Sequence, residues 1–248
     1  MNCLVLRPAD IVSDTEARVL GEEARRVQKV HDLKEGLKIR AAVLGGKLGT
    51  AAVRSLSEDE IVLDIKLTEE PLARSNLSWI VAISRPQTIK KLLQLAATLG
   101  IDELHLIRTS QVVKSYLQSA CLEPENIAAN VLKGLEQAGD SIAPRVFVHK
   151  FFKPFILEVL PAKLRLTNEA TPVCVIADTL CLSGIVPAPG IRQSCIIAIG
   201  PESGWGRDEV SQFENIGFHP ITLGGRLMRV DTACVYLTAR IEALRKRD

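Results

Sequence analysis

The first seventy residues show short runs of alternating apolar and polar positions, which are typical of β-strands. Strands are predicted at residues 37–44, 49–53 and 61–67. Gly45-Gly46 and Ser57-Glu58-Asp59 supply turn residues between them. A helix is predicted before the strands, from Asp14 to about Val30, with a few apolar positions among charged ones. The pattern predicts a small β-rich module that ends in a polar linker at residues 69–76.

Beyond the linker the pattern changes to strands that alternate with helices. Trp79 to Ile83 is a compact apolar strand, and Pro86 stands where a helix can begin before Gly100 ends it. Further apolar strands are predicted at residues 103–107, 145–148, 172–177 and 195–199. Strands that are apolar throughout are buried on both faces, so the sequence predicts an α/β fold with a mainly parallel sheet covered by helices. Ligands of such sheets bind beyond the carboxyl ends of the strands.

Composition excludes several classes of protein. A length of 248 residues suits one large α/β domain and a smaller one. No apolar stretch approaches the roughly 18 residues that span a bilayer, and the start of the chain lacks the features of a signal peptide, so we expect a cytoplasmic protein without a membrane partner. The six cysteines contain no C-x-x-C pair and the four histidines no H-x-x-x-H spacing. We therefore expect reduced thiols and no metal site.

The net charge is only +2, but the charged residues are distributed unevenly along the chain. Residues 25–54 are strongly basic and residues 58–70 strongly acidic. The basic residues are Arg25, Arg26, Lys29, Lys34, Lys38, Arg40, Lys47 and Arg54. Two interpretations stay open: a basic face that follows a phosphate backbone, or solvated strand and helix faces that happen to be basic.

Candidate chemistry begins in a glycine-rich loop. An apolar strand ending at Ile199 runs into Gly200-Pro201-Glu202-Ser203-Gly204-Trp205-Gly206. The next helix opens with Arg207-Asp208-Glu209, where the two acids suit the positive end of the helix dipole. Glycines let the backbone pass close to a ligand, where its N–H and C=O groups can bind an adenine or a carboxylate. The loop matches neither the G-x-G-x-x-G pattern nor the Walker pattern, which argues against dinucleotide or P-loop chemistry.

A second loop follows one helix and one strand later, at residues 221–233. Arg226 and Arg229 flank two apolar residues, and the closing helix is predicted to begin near Asp231 or Thr232, either of which suits an N-cap. Taken alone, this loop is also compatible with a helix start that carries surface arginines.

Together, the two loops resemble the signature of the bacterial 16S ribosomal RNA uridine N3-methyltransferase family, a branch of the SPOUT superfamily. The family pattern runs approximately G-P-E-G-G-F-S-x-x-E and then L-G-x-R-I-L-R-x-E-T-A, and this chain has GPESGWGRDE and LGGRLMRVDTA. Residues 136–139, 99–101 and 108–110 are similar to further family elements, so the resemblance covers nearly the whole chain.

The resemblance implies a specific architecture. Residues 1–72 would form a PUA-like β-barrel that binds RNA, and residues 73–248 a SPOUT methyltransferase domain whose mainly parallel sheet, with helices on both faces, ends in a deep trefoil knot. A homodimer is also implied, with the closing helix from Thr232 to Lys246 in its interface.

It also implies S-adenosyl-L-methionine as cofactor and ribosomal RNA of the small subunit as substrate. The residues carried over to the cofactor are Ala177, Thr179, Gly200, Glu202, Gly204, Leu223, Gly224, Gly225 and Leu227. Uracil N3 carries a proton that a base must remove. Glu202 is the candidate base, although a loop carboxylate can equally cap a backbone turn. Arg226 and Arg229 would stabilise negative charge or bind a phosphate. Candidate RNA-binding residues are Arg25, Arg26, Arg40 and Arg108.

Some positions depart from the family pattern. Asp140 stands where the family has an arginine, and Leu95 and Thr98 replace a lysine and a glutamate. The cofactor loops vary conservatively, whereas positions expected to contact RNA have lost charge. Two alternatives follow: a SPOUT enzyme that acts on another RNA site, or a non-catalytic RNA-binding factor of ribosome assembly.

Overall fold

The computed structural model describes residues 3–165 and 171–245. The chain divides into two compact units. The first comprises Met1–Ala73, Ala96–Gly100 and Ala129–Ala143, and the second comprises Arg74–Leu95, Ile101–Ala128 and Pro144–Asp248. The helices α2 (Pro86–Thr98) and α3 (Pro124–Ala138) contribute residues to both units.

A six-stranded sheet forms most of the first unit. Its strands are β1 (Leu4–Leu6), β2 (Ile11–Ser13), β3 (Glu16–Leu20), β4 (Lys38–Val43), β5 (Leu48–Leu56) and β6 (Glu60–Glu69). They are ordered β1-β4-β5-β6-β3-β2, with one parallel pair, β1 with β4. The helix α1 (Gly21–His31) packs Ala24 and Val27 into the apolar core of the sheet. The strands predicted at residues 37–44, 49–53 and 61–67 correspond to β4, β5 and β6.

The helix predicted from Asp14 to Val30 is wrong in its first half. Residues 16–20 form the strand β3, in which Ala17 and Val19 are buried while Arg18 and Leu20 are exposed. This period of two is the signature of a strand, and it outweighs the charge content that suggested a helix. The helix begins only at Gly21, whose φ is +64°.

The second unit is built on a parallel sheet. Its strands are β7 (Leu77–Ala82), β8 (Glu103–Ile107), β9 (Arg145–His149), β10 (Val173–Ala177), β11 (Cys195–Ile199) and β12 (His219–Ile221), in the order β12-β10-β11-β7-β8-β9. All five pairings are parallel. The prediction of an α/β fold with a parallel sheet is confirmed, and the strands at 103–107 and 195–199 have the predicted bounds.

Helices cover both faces of this sheet. They are α4 (Phe152–Pro154), α5 (Leu160–Arg165), α6 (Arg207–Asn215) and α7 (Val230–Leu244), with a π-helical turn at Phe155–Val159 between the first two. On one face, Ile196 and Ala198 pack with Leu160 of α5 and Phe213 of α6. On the other face, the indole of Trp79 donates a hydrogen bond to the Thr238 hydroxyl of α7, at 3.0 Å.

The closing helix starts earlier than predicted. Its N-cap is Arg229, whose side chain makes no capping hydrogen bond, so neither Asp231 nor Thr232 is the cap. Asp231 lies instead in the first turn, where a negative charge suits the helix dipole. The predicted end at Lys246 lies outside the described residues, as do Met1 and Asn2.

The strand order brings three chain segments to one place. β12 pairs with β10 on the side away from β11, so the chain crosses over after β11 and the carboxyl ends of all three strands are adjacent. Ala177, Ile199 and Ile221 end these strands. No helix among the described residues is long and apolar enough to cross a membrane.

Candidate functional site

A pocket of about 240 Å³ lies at the carboxyl ends of β10, β11 and β12, and we call it the glycine-loop pocket. It is lined by Ala177, Asp178, Thr179, Ile199, Gly200, Pro201, Glu202, Gly204, Trp205, Thr222, Leu223, Gly224, Gly225, Arg226, Leu227, Met228, Val230 and Ala233. The structure thus brings together all nine residues that the resemblance assigns to the cofactor. Three separate loops supply them, one after each strand.

The first loop folds tightly around Trp205. A Cβ atom on Gly200 would lie 3.2 Å from the Cδ1, Nε1 and backbone N atoms of Trp205, closer than ordinary contact. Gly204 has φ +81°, a left-handed conformation that favours glycine. The Trp205 ring packs edge-on against Phe213, with centroids 5.2 Å apart. Its buried Nε1 has no hydrogen-bonding partner among the described residues.

Glu209 fixes the end of this loop. Its buried carboxylate accepts one hydrogen bond from the Gly206 amide, at 2.9 Å, and one from the Ser110 amide, at 2.7 Å. The first bond caps α6, and the second ties the helix to the loop that follows β8. The sequence indicated only that an acid here suits the helix dipole. Nothing in the sequence links Glu209 to Ser110, because the two are 99 positions apart.

The second loop is more open. Gly224 has φ +117°, and its amide donates to the Thr222 hydroxyl at 3.3 Å. Leu227 lines the pocket with 88% of its surface exposed.

The three residues predicted to be catalytic do not all reach the pocket. Glu202 and Arg226 line it, whereas Arg229 is exposed at the N-cap of α7 and is not part of the lining. Within the described chain, no hydrogen bond involves the Glu202 carboxylate, so it does not cap a backbone turn.

A long segment between β10 and β11 borders the pocket on its third side. Asp178 closes a turn by accepting the Leu180 amide at 3.0 Å. Further along, the Thr222 amide donates to the Ser183 carbonyl at 2.7 Å, and the Arg240 guanidinium donates to the Gly184 carbonyl at 2.5 Å. The segment is therefore bonded both to the chain after β12 and to α7.

The basic stretch of the first unit is largely neutralised. Arg25 pairs with Asp59 at 2.6 Å, and Arg40 pairs with Glu69 at 3.0 Å. The acidic partners come from residues 58–70, so the two oppositely charged stretches meet in pairs. Of the two interpretations that the sequence left open, these pairs favour the solvated faces.

Arg26 is the most enclosed of the predicted RNA-binding residues in this unit. It pairs with Glu23 at 2.6 Å and with Glu136 at 3.2 Å. Burial raises the pKa of the fully buried Glu136, and the neighbouring Arg26 opposes that shift. The Arg26 side chain therefore already compensates a buried carboxyl group. Arg108, the fourth predicted residue, lies in the second unit and lines a different cavity.

A buried polar cluster in the second unit was not predicted. Glu103 accepts a hydrogen bond from His105 Nε2 at 2.9 Å and also bonds Arg145 and Lys163, while His105 Nδ1 lies 3.0 Å from His149 Nε2. The His105 hydrogen bond, helped by Lys163, lowers the pKa of Glu103 to about 2. Burial, together with His105, lowers the pKa of His149 to about 4.

The described residues contain no group of three or more His, Cys, Asp or Glu side chains that could hold a metal ion. Five of the six cysteines are buried, and all six are free thiols.

A parallel sheet with a ligand-sized pocket at its carboxyl edge defines the class of α/β enzymes that bind small molecules beyond their strand ends. Residues 70–242 match the model of the RNA methyltransferase domain. Since that match spans more than half of the chain, the chain belongs to the RNA methyltransferase family.

Known relatives agree in sequence and in fold. The chain is 27% identical over 227 residues to the ribosomal RNA small subunit methyltransferase E of Treponema pallidum, covering 89% of this chain and 84% of that protein. The crystal structure of a ribosomal RNA small subunit methyltransferase E from Neisseria gonorrhoeae, bound to S-adenosyl methionine, has a TM-score of 0.76 at 18% identity and covers 98% of both chains. A Legionella pneumophila methyltransferase in complex with SAM has a TM-score of 0.74 at 17% identity, covering 98% of this chain and 97% of that chain.

Proposed function

We propose that this chain transfers a methyl group from S-adenosyl-L-methionine to N3 of a uridine in the 16S ribosomal RNA of the small subunit. The observation that carries the proposal is the glycine-loop pocket, where one cavity gathers every residue that the resemblance assigns to the cofactor. The names and bound ligands of the relatives support the same donor and the same class of RNA.

The lining of the pocket fits this cofactor. Leu223, Met228 and Val230 offer an apolar wall for an adenine ring, and glycine backbone offers N–H and C=O groups for its edge. Trp205 Nε1, which has no partner in the part of the chain that the structure describes, is a further donor at the wall. Asp178 adds a carboxylate that suits ribose hydroxyls or a positive charge. When bound, the cofactor supplies a methyl group on a positively charged sulfur.

The residues of the chain position the acceptor, stabilise developing negative charge and remove a proton. Holding the acceptor nitrogen in line with the methyl group supplies much of the rate. Glu202 is exposed in the pocket and has no hydrogen-bonding partner among the described residues, and it is the proposed base for the N3 proton. Arg226 stabilises negative charge that develops on the uracil oxygens. Arg229 lies outside the pocket lining, and it binds a phosphate of the RNA instead.

Replacing Glu202 with glutamine tests the base. We expect methyl transfer at saturating cofactor to fall by about 10²- to 10⁴-fold, because proton transfer by a positioned group contributes about that much. Glu214→Gln, an exposed carboxylate on α6 outside the pocket, is the control and should transfer normally. Near-normal turnover of Glu202→Gln would exclude the assignment.

Finer features of the architecture belong to the same proposal. The segment between β10 and β11 is hydrogen-bonded to Thr222 and Arg240. These bonds support the proposal of a trefoil knot, in which the end of the chain passes through the loop that this segment forms. The sheet of the first unit supports a PUA-like barrel over residues 1–72. In it, Arg25, Arg26 and Arg40 reach RNA only by exchanging their carboxylate partners for phosphates. The partly exposed Tyr236 and Leu244 of α7 support a homodimer, which analytical ultracentrifugation tests directly.

Two experiments separate the proposal from its alternatives. Calorimetry with S-adenosyl-L-methionine tests the pocket, and failure to bind would favour a non-catalytic assembly factor. Mass-spectrometric mapping of ribosomal RNA from cells with and without the gene tests the substrate. Loss of 3-methyluridine from one position of the small-subunit RNA supports the proposal, whereas loss of a methyl group from another RNA favours a diverged enzyme. We place this activity in the cytoplasm, where ribosomal RNA is found.

A further inference from the structure

A second cavity in the same unit, of about 680 Å³, lies beyond the carboxyl ends of β8 and β9. Three segments line it: Arg108 to Ser110 after β8, Lys150 to Pro154 after β9, and Gly206 to Glu209 at the start of α6, with Gln212 beyond them. We call it the basic pocket. It borders the glycine-loop pocket, because Trp205 lines one cavity and the next residue, Gly206, lines the other.

Positive charge in the basic pocket has no compensating partners. Arg108, Lys150, Lys153 and Arg207 line it, and none of the four makes an ion pair with any described residue. Two carboxylates, those of Asp208 and Glu209, also lie there. Four cations against these two carboxylates leave a net charge of +2, and both oxygens of Glu209 already accept backbone amides. The arginines of the first unit differ in this respect, since carboxylates pair with them. The basic pocket is therefore suited to an anion.

A buried hydroxyl in the wall also lacks a partner. Thr109 is 3% exposed, and its Oγ1 makes no hydrogen bond to the rest of the described chain. A buried hydroxyl without a partner costs free energy, so such groups are usually satisfied by protein, water or a ligand. This hydroxyl can donate to a phosphate oxygen or to a base edge, independently of the charge around it.

An exposed aromatic ring stands beside the cations. Phe151 lines the pocket with 65% of its surface exposed, between Lys150 and the short helix α4. Proteins that bind single-stranded nucleic acid combine a positively charged groove for the backbone with aromatic side chains on which bases stack. Bases in a duplex are already stacked on one another, so a free aromatic face favours an unpaired strand.

We infer that the basic pocket holds an unpaired segment of the RNA substrate, with a base stacked on Phe151 and the adjoining phosphates on Lys150, Lys153, Arg108 and Arg207. The inference rests on the proposed function and deepens it. An unpaired strand is also what the chemistry needs, because pairing hides the N3 edge of uracil. The shared border at Trp205 and Gly206 lets a strand held in the basic pocket present its next nucleotide to the glycine-loop pocket.

Fluorescence anisotropy with a labelled twelve-nucleotide oligouridylate tests the stacking. Phe151→Ala should weaken binding about tenfold, in the range that loss of one base–aromatic stack produces. Leu157→Ala is the matched control, since Leu157 is 66% exposed in the same unit but does not line the pocket. It should bind within about twofold of the unsubstituted protein. Both side chains are mostly exposed, so neither substitution should disturb folding.

Salt dependence tests the phosphate contacts. The slope of log affinity against log salt should become shallower by about 0.7 in Lys153→Gln, the amount expected for one lost contact to a single strand. Lys90→Gln, an exposed lysine on α2 outside both pockets, should leave the slope unchanged. Normal affinity of Phe151→Ala for the oligouridylate would overturn the inference, and so would an equal change of slope in both lysine variants.

A separate measurement distinguishes this inference from the proposed function. Calorimetry with S-adenosyl-L-methionine should give the same affinity for Phe151→Ala as for the unsubstituted protein. If neither protein binds the cofactor, the proposed function fails while the anisotropy result still reports on the basic pocket. If both bind it and Phe151→Ala also binds RNA normally, only the inference fails.

Discussion

Gly200 lies at the tightest point of the glycine-loop pocket, and its replacement by alanine should both destabilise the protein and weaken cofactor binding. The added Cβ would lie 3.2 Å from three atoms of Trp205, one of them the backbone nitrogen. Because a backbone atom cannot swing away as a flexible side chain does, the loop itself must shift. That shift moves Trp205, which forms part of the pocket wall.

The magnitude follows from two opposing effects. Forcing an extra carbon into a packed site costs about 1–3 kcal/mol. Alanine also restricts the unfolded chain, which returns about 0.4–1 kcal/mol. The net loss of about 1–2 kcal/mol should lower Tm by roughly 2–8 °C in a protein of this size. If the displaced wall weakens the cofactor complex by a similar free energy, Kd should rise about 5- to 30-fold.

Differential scanning fluorimetry without ligand and calorimetry with S-adenosyl-L-methionine measure the two effects. Gly225→Ala is the matched control for stability, because Gly225 lines the same pocket but a Cβ there meets no atom within 4 Å. Its Tm should rise by roughly 1–4 °C, because the restriction of the unfolded chain meets no steric opposition there. If the Gly200→Ala protein had the original Tm and Kd, the loop would accommodate the added Cβ without cost. The prediction from the close contact with Trp205 would then be wrong.

Three further changes probe the scaffold. Gly49→Ala should lower the free energy of unfolding by about 3 kcal/mol, because the added Cβ would overlap the Lys66 carbonyl on the neighbouring strand. Urea denaturation measures this change, and an unchanged midpoint would contradict the prediction. Thr238→Val should cost about 1–3 kcal/mol by leaving the buried Trp79 indole N–H without its acceptor, which the same assay measures. The pKa of His149 falls from 6.5 to about 4 on folding, so the unfolded chain binds the proton at a higher pH than the folded protein does. The free energy of unfolding should therefore decrease as the pH falls from 6.5 to 4, and His149 should not change it above pH 6.5. An identical pH dependence in His149→Asn would exclude that residue as the cause.

Strands buried on both faces were the most predictable part of the fold. Residues 195–199 are apolar from end to end because helices cover both sides of the sheet. Residues 103–107 are buried over the same length, although Glu103 and His105 among them are polar. The strand β3 was missed because it has only two buried apolar positions, Ala17 and Val19, and the charged helix α1 follows it directly. Three-residue strands such as β1 carry too few positions to show any period.

The glycine-loop pocket could be anticipated because seven of its nine predicted residues lie in two short segments of sequence with a recognisable pattern, and only Ala177 and Thr179 lie outside them. The basic pocket could not. Its parts are Arg108 after β8, Lys150 and Phe151 after β9, and Arg207 at the start of α6, and only the order of strands in the sheet brings them together. The pairing of Arg40 with Glu69 likewise depends on which strands become neighbours. A local pattern carries no information on such contacts.

The carboxylate of Glu209 has a mechanical consequence for any catalytic cycle. It bonds the amide of Gly206, where the glycine-rich loop ends, and the amide of Ser110, in the loop that follows β8. All three residues line the basic pocket, and Gly206 directly follows Trp205, which lines the glycine-loop pocket. If the loop moves when one cavity fills, the shape of the other must change with it. Occupancy of either cavity then alters affinity at the other, and thermodynamic reciprocity requires that the effect be equal in both directions.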